Sequence, residues 1–181
     1  MPRAVVVLAE GFEEIEAITP IDVLRRAGVE VIAAGVAGRR VVGSHGIAVE
    51  ADATLDEVPD DVDLVVLPGG MPGAENLGKS PGVRALVERL HAAGRRVAAI
   101  CAAPAVALAG TSVLRGRRAT CYPSFEERLG PEVTRSQERV VVDGPLVTSR
   151  GPGTALEFSL ALVEQLVSPA EAERLRKGML V

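Results

Sequence analysis

Cysteine is the side chain of this sequence best suited to nucleophilic chemistry, and Cys101 is placed to use it. The apolar run Val97-Ala98-Ala99-Ile100 precedes it directly, and Ala102-Ala103-Pro104 begins an alanine-rich run to Gly110 directly after it. The first run reads as a strand buried on both faces. The second reads as a helix with Pro104 in its first turn, where a missing amide costs nothing. No residues are left for a loop, so Cys101 falls on the turn itself, with the small Ala99 and Ala103 two positions either side. A strained strand-to-helix turn lifts such a side chain to the C-terminal edge of a sheet, and small neighbours let strand and helix pack closely. The amides and dipole of the following helix are expected to favour thiolate. The plainer reading of a cysteine in an apolar run is a small core residue. Its place just past the last apolar residue of the strand favours a reactive thiol.

Two other stretches could meet it. Glu13-Glu14-Ile15-Glu16 opens a helix that runs to about Arg26, with Gly28 as its stop. Glu13 and Glu14 read as ordinary first-turn acids opposing the helix dipole. Glu16 instead shares a face with Pro20, Val23, Leu24 and Ala27, the side expected to press on a sheet, and an inward carboxylate needs a partner. The strand Asp63–Leu67 ends in Pro68-Gly69-Gly70. A glycine pair there lets backbone approach closely, and the Gly69 and Gly70 amides would suit an oxyanion. A tight loop is the commoner explanation.

These residues need a framework, and the rest of the chain supplies its pattern. Arg3 to Ala9, Val29 to Val36, Asp63 to Leu67 and Val97 to Ile100 are continuous Val/Leu/Ala runs of the parallel, buried kind. Helices are expected from Glu13 to Arg26, from Ser80 to Ala93, over the alanine run, from Ala155 to Val167 and from Pro169 to about Lys177. Arg39 to Val49 reads as a ribbon around Gly43-Ser44-His45-Gly46. Arg117 to Tyr122 reads as a strand stopped by Pro123, Ser124 as the cap of a short acidic helix over Phe125 to Leu129, and Arg139 to Ser149 as a hairpin turning at Asp143-Gly144. The alternation implies an α/β fold: a flavodoxin-like three-layer sandwich on a mostly parallel sheet, carrying a hairpin and a ribbon.

Composition bounds the function. The 181 residues suit one domain, and a net charge of -4 argues against nucleic acid as a partner. No apolar run is long enough to span a bilayer, and the short start reads as a first strand rather than a signal segment, so a cytoplasmic location is expected. Cys101 and Cys121 make neither a disulfide framework nor a metal-ligand spacing.

Taken together, Gly11-Phe12-Glu13-Glu14-Ile15-Glu16, Val66-Leu67-Pro68-Gly69-Gly70, Ala99-Ile100-Cys101-Ala102-Ala103-Pro104 and Thr148-Ser149-Arg150-Gly151-Pro152-Gly153-Thr154 resemble the ThiJ/PfpI superfamily, in its deglycase and glyoxalase III-like branch. The resemblance spans nearly the whole chain and implies a single ThiJ/PfpI domain, of the class I glutamine amidotransferase-like kind, over residues 1–181. It implies Cys101 as the reactive cysteine, Glu16 as a protonated acid bonded to its sulfur, and backbone amides from Gly69, Gly70 and Ala102. It also implies a homodimer with its sites beside the interface, and neither metal nor organic cofactor. The ribbon around His45 and the Arg150-Gly151-Pro152 loop are expected at that interface. His45, Tyr122, Arg150 and Pro152 are the candidates to line the site.

Two departures from the family pattern bear on mechanism. The protease-like branch has a histidine directly after its elbow cysteine; Ala102 stands there, so a local Cys-His dyad is absent. The deglycase branch often has a histidine where Tyr122 precedes Pro123. The base is then Glu16, a water, or His45, which stands where relatives often carry an arginine directed at the partner's site. The alternative for His45 is an exposed turn residue. The activity implied is cofactor-independent conversion of small 2-oxoaldehydes such as methylglyoxal to 2-hydroxy acids, or deglycation of their protein adducts. The alternatives are a redox-responsive protein whose cysteine is oxidised to sulfinate, and a chaperone, for which the sequence offers no exposed apolar stripe.

Overall fold

A computed structural model describes residues 1–181. The chain runs β1 (Arg3–Leu8), α1 (Glu14–Arg26), β2 (Glu30–Gly35), β3 (Arg40–Val42), β4 (Ala48–Glu50), β5 (Ala53–Thr54) and β6 (Leu64–Leu67). It continues through α2 (Gly73–Lys79), α3 (Pro81–Ala92), β7 (Arg96–Ile100), α4 (Ala103–Val106), β8 (Arg118–Ala119) and β9 (Thr134–Arg135). The hairpin β10 (Val140–Asp143) and β11 (Leu146–Ser149) and the helices α5 (Ala155–Leu166) and α6 (Pro169–Met179) close it.

Seven strands form the central sheet in the order β10-β11-β7-β6-β1-β2-β5. All its neighbours pair parallel except β10 with β11, which form the antiparallel hairpin. Val5, Val6, Val7, Val65, Val66, Ala98 and Ala99 are wholly buried, as continuous apolar runs covered on both faces require. One group of helices joins α1 to α5 and α5 to α6, and a second joins α2 to α3 and α4. The parallel arrangement sends the ends of β1, β6, β7 and β11 to one edge. The turn into α1, the Pro68-Gly69-Gly70 loop, Cys101 and the Arg150–Pro152 loop are gathered there.

The differences from the expected elements have local causes. Helix α2 lies in a stretch for which the sequence pattern gives no element; its Gly73 and Gly78 are poor helix formers, kept because added side chains would come within 2.6 Å of the Gly11 carbonyl and 2.9 Å of the Val106 carbonyl. Helix α4 is a single turn and does not continue to Gly110, because Leu108 closes back on the Ala103 carbonyl. The strand expected over Arg117 to Tyr122 shrinks to β8, which pairs with β9 in a separate two-stranded sheet. Ser124 does not cap the acidic turn: it adopts φ 75°, and the 3-10 turn Glu126–Leu129 starts after Phe125 without a side-chain cap.

Candidate active site

Cys101 is one of three non-glycine residues with positive φ, at 65°, so the strained turn inferred from the sequence is present. Such a conformation costs on the order of 1–3 kcal/mol and persists only where its surroundings hold it. Here the Cys101 N–H donates to the Ser149 carbonyl at 2.9 Å, and the Cys101 carbonyl accepts from the Tyr122 N–H at 2.8 Å. The residue retains 8% exposure. The Gly70 and Ala102 N–H groups lie close enough to the sulfur to favour its thiolate form.

Glu16 is fully buried on the inward face of α1, with Ala17, Pro20, Val23 and Leu24. Its Oε2 accepts the Gly69 N–H at 2.9 Å. Its Oε1 is buried without a partner of normal hydrogen-bond geometry, while the carboxyl lies close enough to interact with the Cys101 thiol. Burial pushes Glu16 up to about 7; the nearby Glu13 charge adds to this, against the opposing bonds from Cys101 and Gly69. Burial likewise pushes Cys101 up to about 12, followed by the charge of and hydrogen bond to Glu16, with the Gly70 and Ala102 amides opposing. The depressed thiol expected from a helix dipole is therefore not found. With only one turn in α4 there is little aligned dipole, and two buried acids compete for a proton.

The close approach of the loop depends on Gly69. A methyl group there would lie 2.6 Å from both the Cys101 Cβ and Glu16 Oε2. The Gly69 amide is committed to Glu16, so Gly70 and Ala102 are the amides that face sulfur.

Of the other candidates, Tyr122 is adjacent: its amide binds the Cys101 carbonyl, and its ring lies over Gly151 and edge-on to Phe125 at 6.4 Å. Pro152 opens the 3-10 turn Pro152–Thr154 beyond β11. Arg150 turns to the Gln137 carbonyl at 3.0 Å and to Glu126 at 4.0 Å. His45 is not brought to the thiol within the chain. Its Nδ1 sits 2.8 Å from Glu14 Oε2, with the side chain 70% exposed. Its bond to Glu14 holds His45 above its ordinary value; Glu14, pushed up by burial, is held below its own by the side-chain and backbone bonds from His45. Glu14 is thus a buried anchor for the ribbon rather than an ordinary first-turn acid. Cys121 is 1% exposed, its thiol donates to the Tyr122 carbonyl, and burial pushes it up to about 11.

The residue missed from sequence is Glu13. Its carboxylate accepts the Glu16 N–H at 2.8 Å and caps α1, and its own N–H donates to the Gly69 carbonyl at 2.9 Å. The spacing of three between two acids at a helix start is the signal that could have revealed it.

Comparison with known proteins bears on this arrangement directly. The model of the DJ-1/PfpI family matches residues 2–165. The chain belongs to the DJ-1/PfpI family. Protein DJ-1 homolog B of Arabidopsis thaliana is 45% identical over 94% of this chain, which spans only 39% of that longer protein. Protein dj-1beta of Drosophila melanogaster is 43% identical over 98% of this chain and 96% of its own length. Its crystal structure superposes with a TM-score of 0.95, covering 99% of this chain and 98% of that one. The glutathione-independent glyoxalase DJR-1.2 of Caenorhabditis elegans is 34% identical over 94% of this chain and 91% of its own. The family includes glyoxalase-type enzymes, and no helix here is long and apolar enough to cross a membrane.

Proposed function

We propose that this DJ-1/PfpI protein is a cysteine-dependent enzyme that converts small 2-oxoaldehydes such as methylglyoxal to 2-hydroxy acids without a cofactor or an added thiol. The observation that carries this reading is the pair itself: a thiol held on a strained turn beside a fully buried carboxyl, which burial pushes up to about 7. A general base works best when its pKa lies near the operating pH. As the Cys101 sulfur adds to the aldehyde carbon, Glu16 takes the thiol proton and hands it to the new alkoxide, giving a hemithioacetal. Glu16 then removes the hydrogen on that carbon as a proton and returns it to the neighbouring carbon through an enediol, leaving a 2-hydroxyacyl thioester. Water cleaves the thioester and restores the thiol. One water is consumed and nothing is oxidised overall. The Gly70 and Ala102 amides offset charge on sulfur while it forms and leaves.

Deglycation of protein adducts would use the same addition, but scavenging of free aldehyde imitates it, so the test employs free methylglyoxal. Purified protein should form lactate without glutathione, and Cys101→Ser should form none. Activity retained in that variant would refute the reading.

A homodimer belongs to the same proposal. Ile15, Ile18 and Ile47 are 54%, 42% and 58% exposed. All three lie where the ribbon meets α1: the Ile47 N–H reaches Glu14 on α1, and Ile18 shares a cleft with Val49 of β4. This apolar face, which the sequence did not reveal, suits a two-fold contact that would also bring the His45 ribbon beside another copy's site.

A further inference from the structure

Two roles are usually available to an acid in the first turn of a helix: capping the amides or opposing the dipole. Glu13 does the first, but its position does more. It is only 7% exposed, so its charge is poorly screened by water. Its carboxylate holds the Glu16 N–H at 2.8 Å and thereby fixes where the Glu16 side chain leaves the helix. Its amide holds the Gly69 carbonyl at 2.9 Å. The same loop turns the Gly69 N–H onto Glu16 Oε2 at 2.9 Å and brings the Gly70 N–H near the Cys101 sulfur. Gly70 packs so closely on this amide that a methyl group there would lie 2.4 Å from the Glu13 nitrogen. One residue therefore ties the carrier of the carboxyl to the carrier of the amides.

We propose that Glu13 is a positioning residue for the Cys101–Glu16 pair: it sets the distance between helix and glycine loop, and its carboxylate beside Glu16 helps keep the shared proton on the pair. The inference rests on the proposed reading of that pair as the reacting centre and names a residue that reading does not use. The charged and titratable groups concerned can be followed outward. Glu16 faces Cys101 from the elbow and Glu13 from its own helix. Glu13 in turn faces His45 from the ribbon turn, where Glu14 holds that ring. Burial and the Glu13 charge both push the Glu16 carboxyl up. A negative charge beside two competing acids disfavours the form in which either loses the last proton.

The test separates charge from capping. Glu13→Gln keeps a side-chain acceptor for the Glu16 N–H and removes the charge; Glu13→Asp keeps both charge and cap. The readout is the rate of Cys101 alkylation by iodoacetamide against pH, which needs no aldehyde turnover. Glu13→Gln should move the acidic midpoint of that profile down, on the order of one pH unit, while Glu13→Asp should stay near the native midpoint. A purely structural cap would leave the Gln midpoint where it was, and that result would overturn the proposal. So would equal displacements in Gln and Asp. Should Glu13→Gln fail to fold, carboxyl carbon NMR of the unaltered protein decides the matter: Glu16 is expected to take up the proton near neutrality, and uptake by Glu13 instead would overturn it. Methylglyoxal turnover measured alongside distinguishes the two claims. A displaced midpoint in a protein without turnover would sink the glyoxalase reading alone.

Discussion

Replacing Glu16 with Gln should make the folded protein less sensitive to pH while disabling it, and the size of the first effect follows from the structure. Glu16 rises from an ordinary 4.5 to about 7, chiefly through burial. A carboxyl raised on folding binds its proton more tightly folded than unfolded. Its contribution to stability is therefore fully present below about pH 4.5 and is lost as pH rises through about 7. At about 1.36 kcal/mol per pH unit, the ionised group costs the folded state on the order of 3 kcal/mol above neutrality. Glutamine has no such charge; its oxygen can accept the Gly69 N–H and its amide can donate to sulfur. Urea unfolding at about pH 5 and pH 8 should show the native protein losing about 2–3 kcal/mol from this residue that the variant keeps. On the same sample, methylglyoxal turnover should fall by about a hundredfold or more, the range for a lost general base. Equal pH dependence in both proteins would mean that Glu16 does not carry the proton. Native turnover in the variant would remove it from proton transfer.

Gly69→Ala should cost on the order of 1–3 kcal/mol in a denaturant titration and about a hundredfold in turnover, because its methyl group would meet Cys101 and Glu16 at 2.6 Å; native turnover would show that the close approach is dispensable. The raised His45 contributes stability that is present below its unfolded value and lost as pH rises through its folded one. Glu14 contributes stability present above its unfolded value and lost as pH falls through its lowered one, so Glu14→Gln should return the His45 NMR titration midpoint towards the ordinary imidazole range. An unmoved midpoint would discount the pair. Light scattering at micromolar concentration should give a dimer mass, and Ile18→Glu should shift it towards monomer; a native monomer would contradict the interface.

The features most legible in the sequence were those in which a local pattern and the tertiary fold agree. Continuous Val/Leu/Ala runs located β1, β6 and β7, and an apolar run passing without a loop into alanines located the Cys101 turn. Helical periodicity turned Glu16 inward. Long-range contacts hid the rest. Glycines at 73 and 78 look like loop residues until the Gly11 and Val106 carbonyls are seen to leave them no room. Glu13 and Glu14 resemble ordinary first-turn acids because their partners, the Gly69 carbonyl and the His45 turn, are distant in sequence. Ile15 and Ile18 are three apart on one face of α1, but the distant Ile47 joins that face only when the β3–β4 ribbon folds against the helix start. The raised Cys101 thiol has a cause that sequence pattern does not carry: α4 is a single turn, and so short a helix supplies little field to oppose burial.

The central claim is that Cys101 bonds covalently to the substrate carbon while Glu16 moves the protons. It is tested most directly by rapid acid quenching of protein turning over methylglyoxal without added thiol, followed by peptide mass analysis. The account predicts a three-carbon acyl or hemithioacetal adduct on the peptide carrying Cys101, none on that carrying Cys121, and accumulation of the hemithioacetal in Glu16→Gln. Steady turnover with Cys101 unmodified at every quench time, or lactate formed at the native rate by Cys101→Ser, would contradict it.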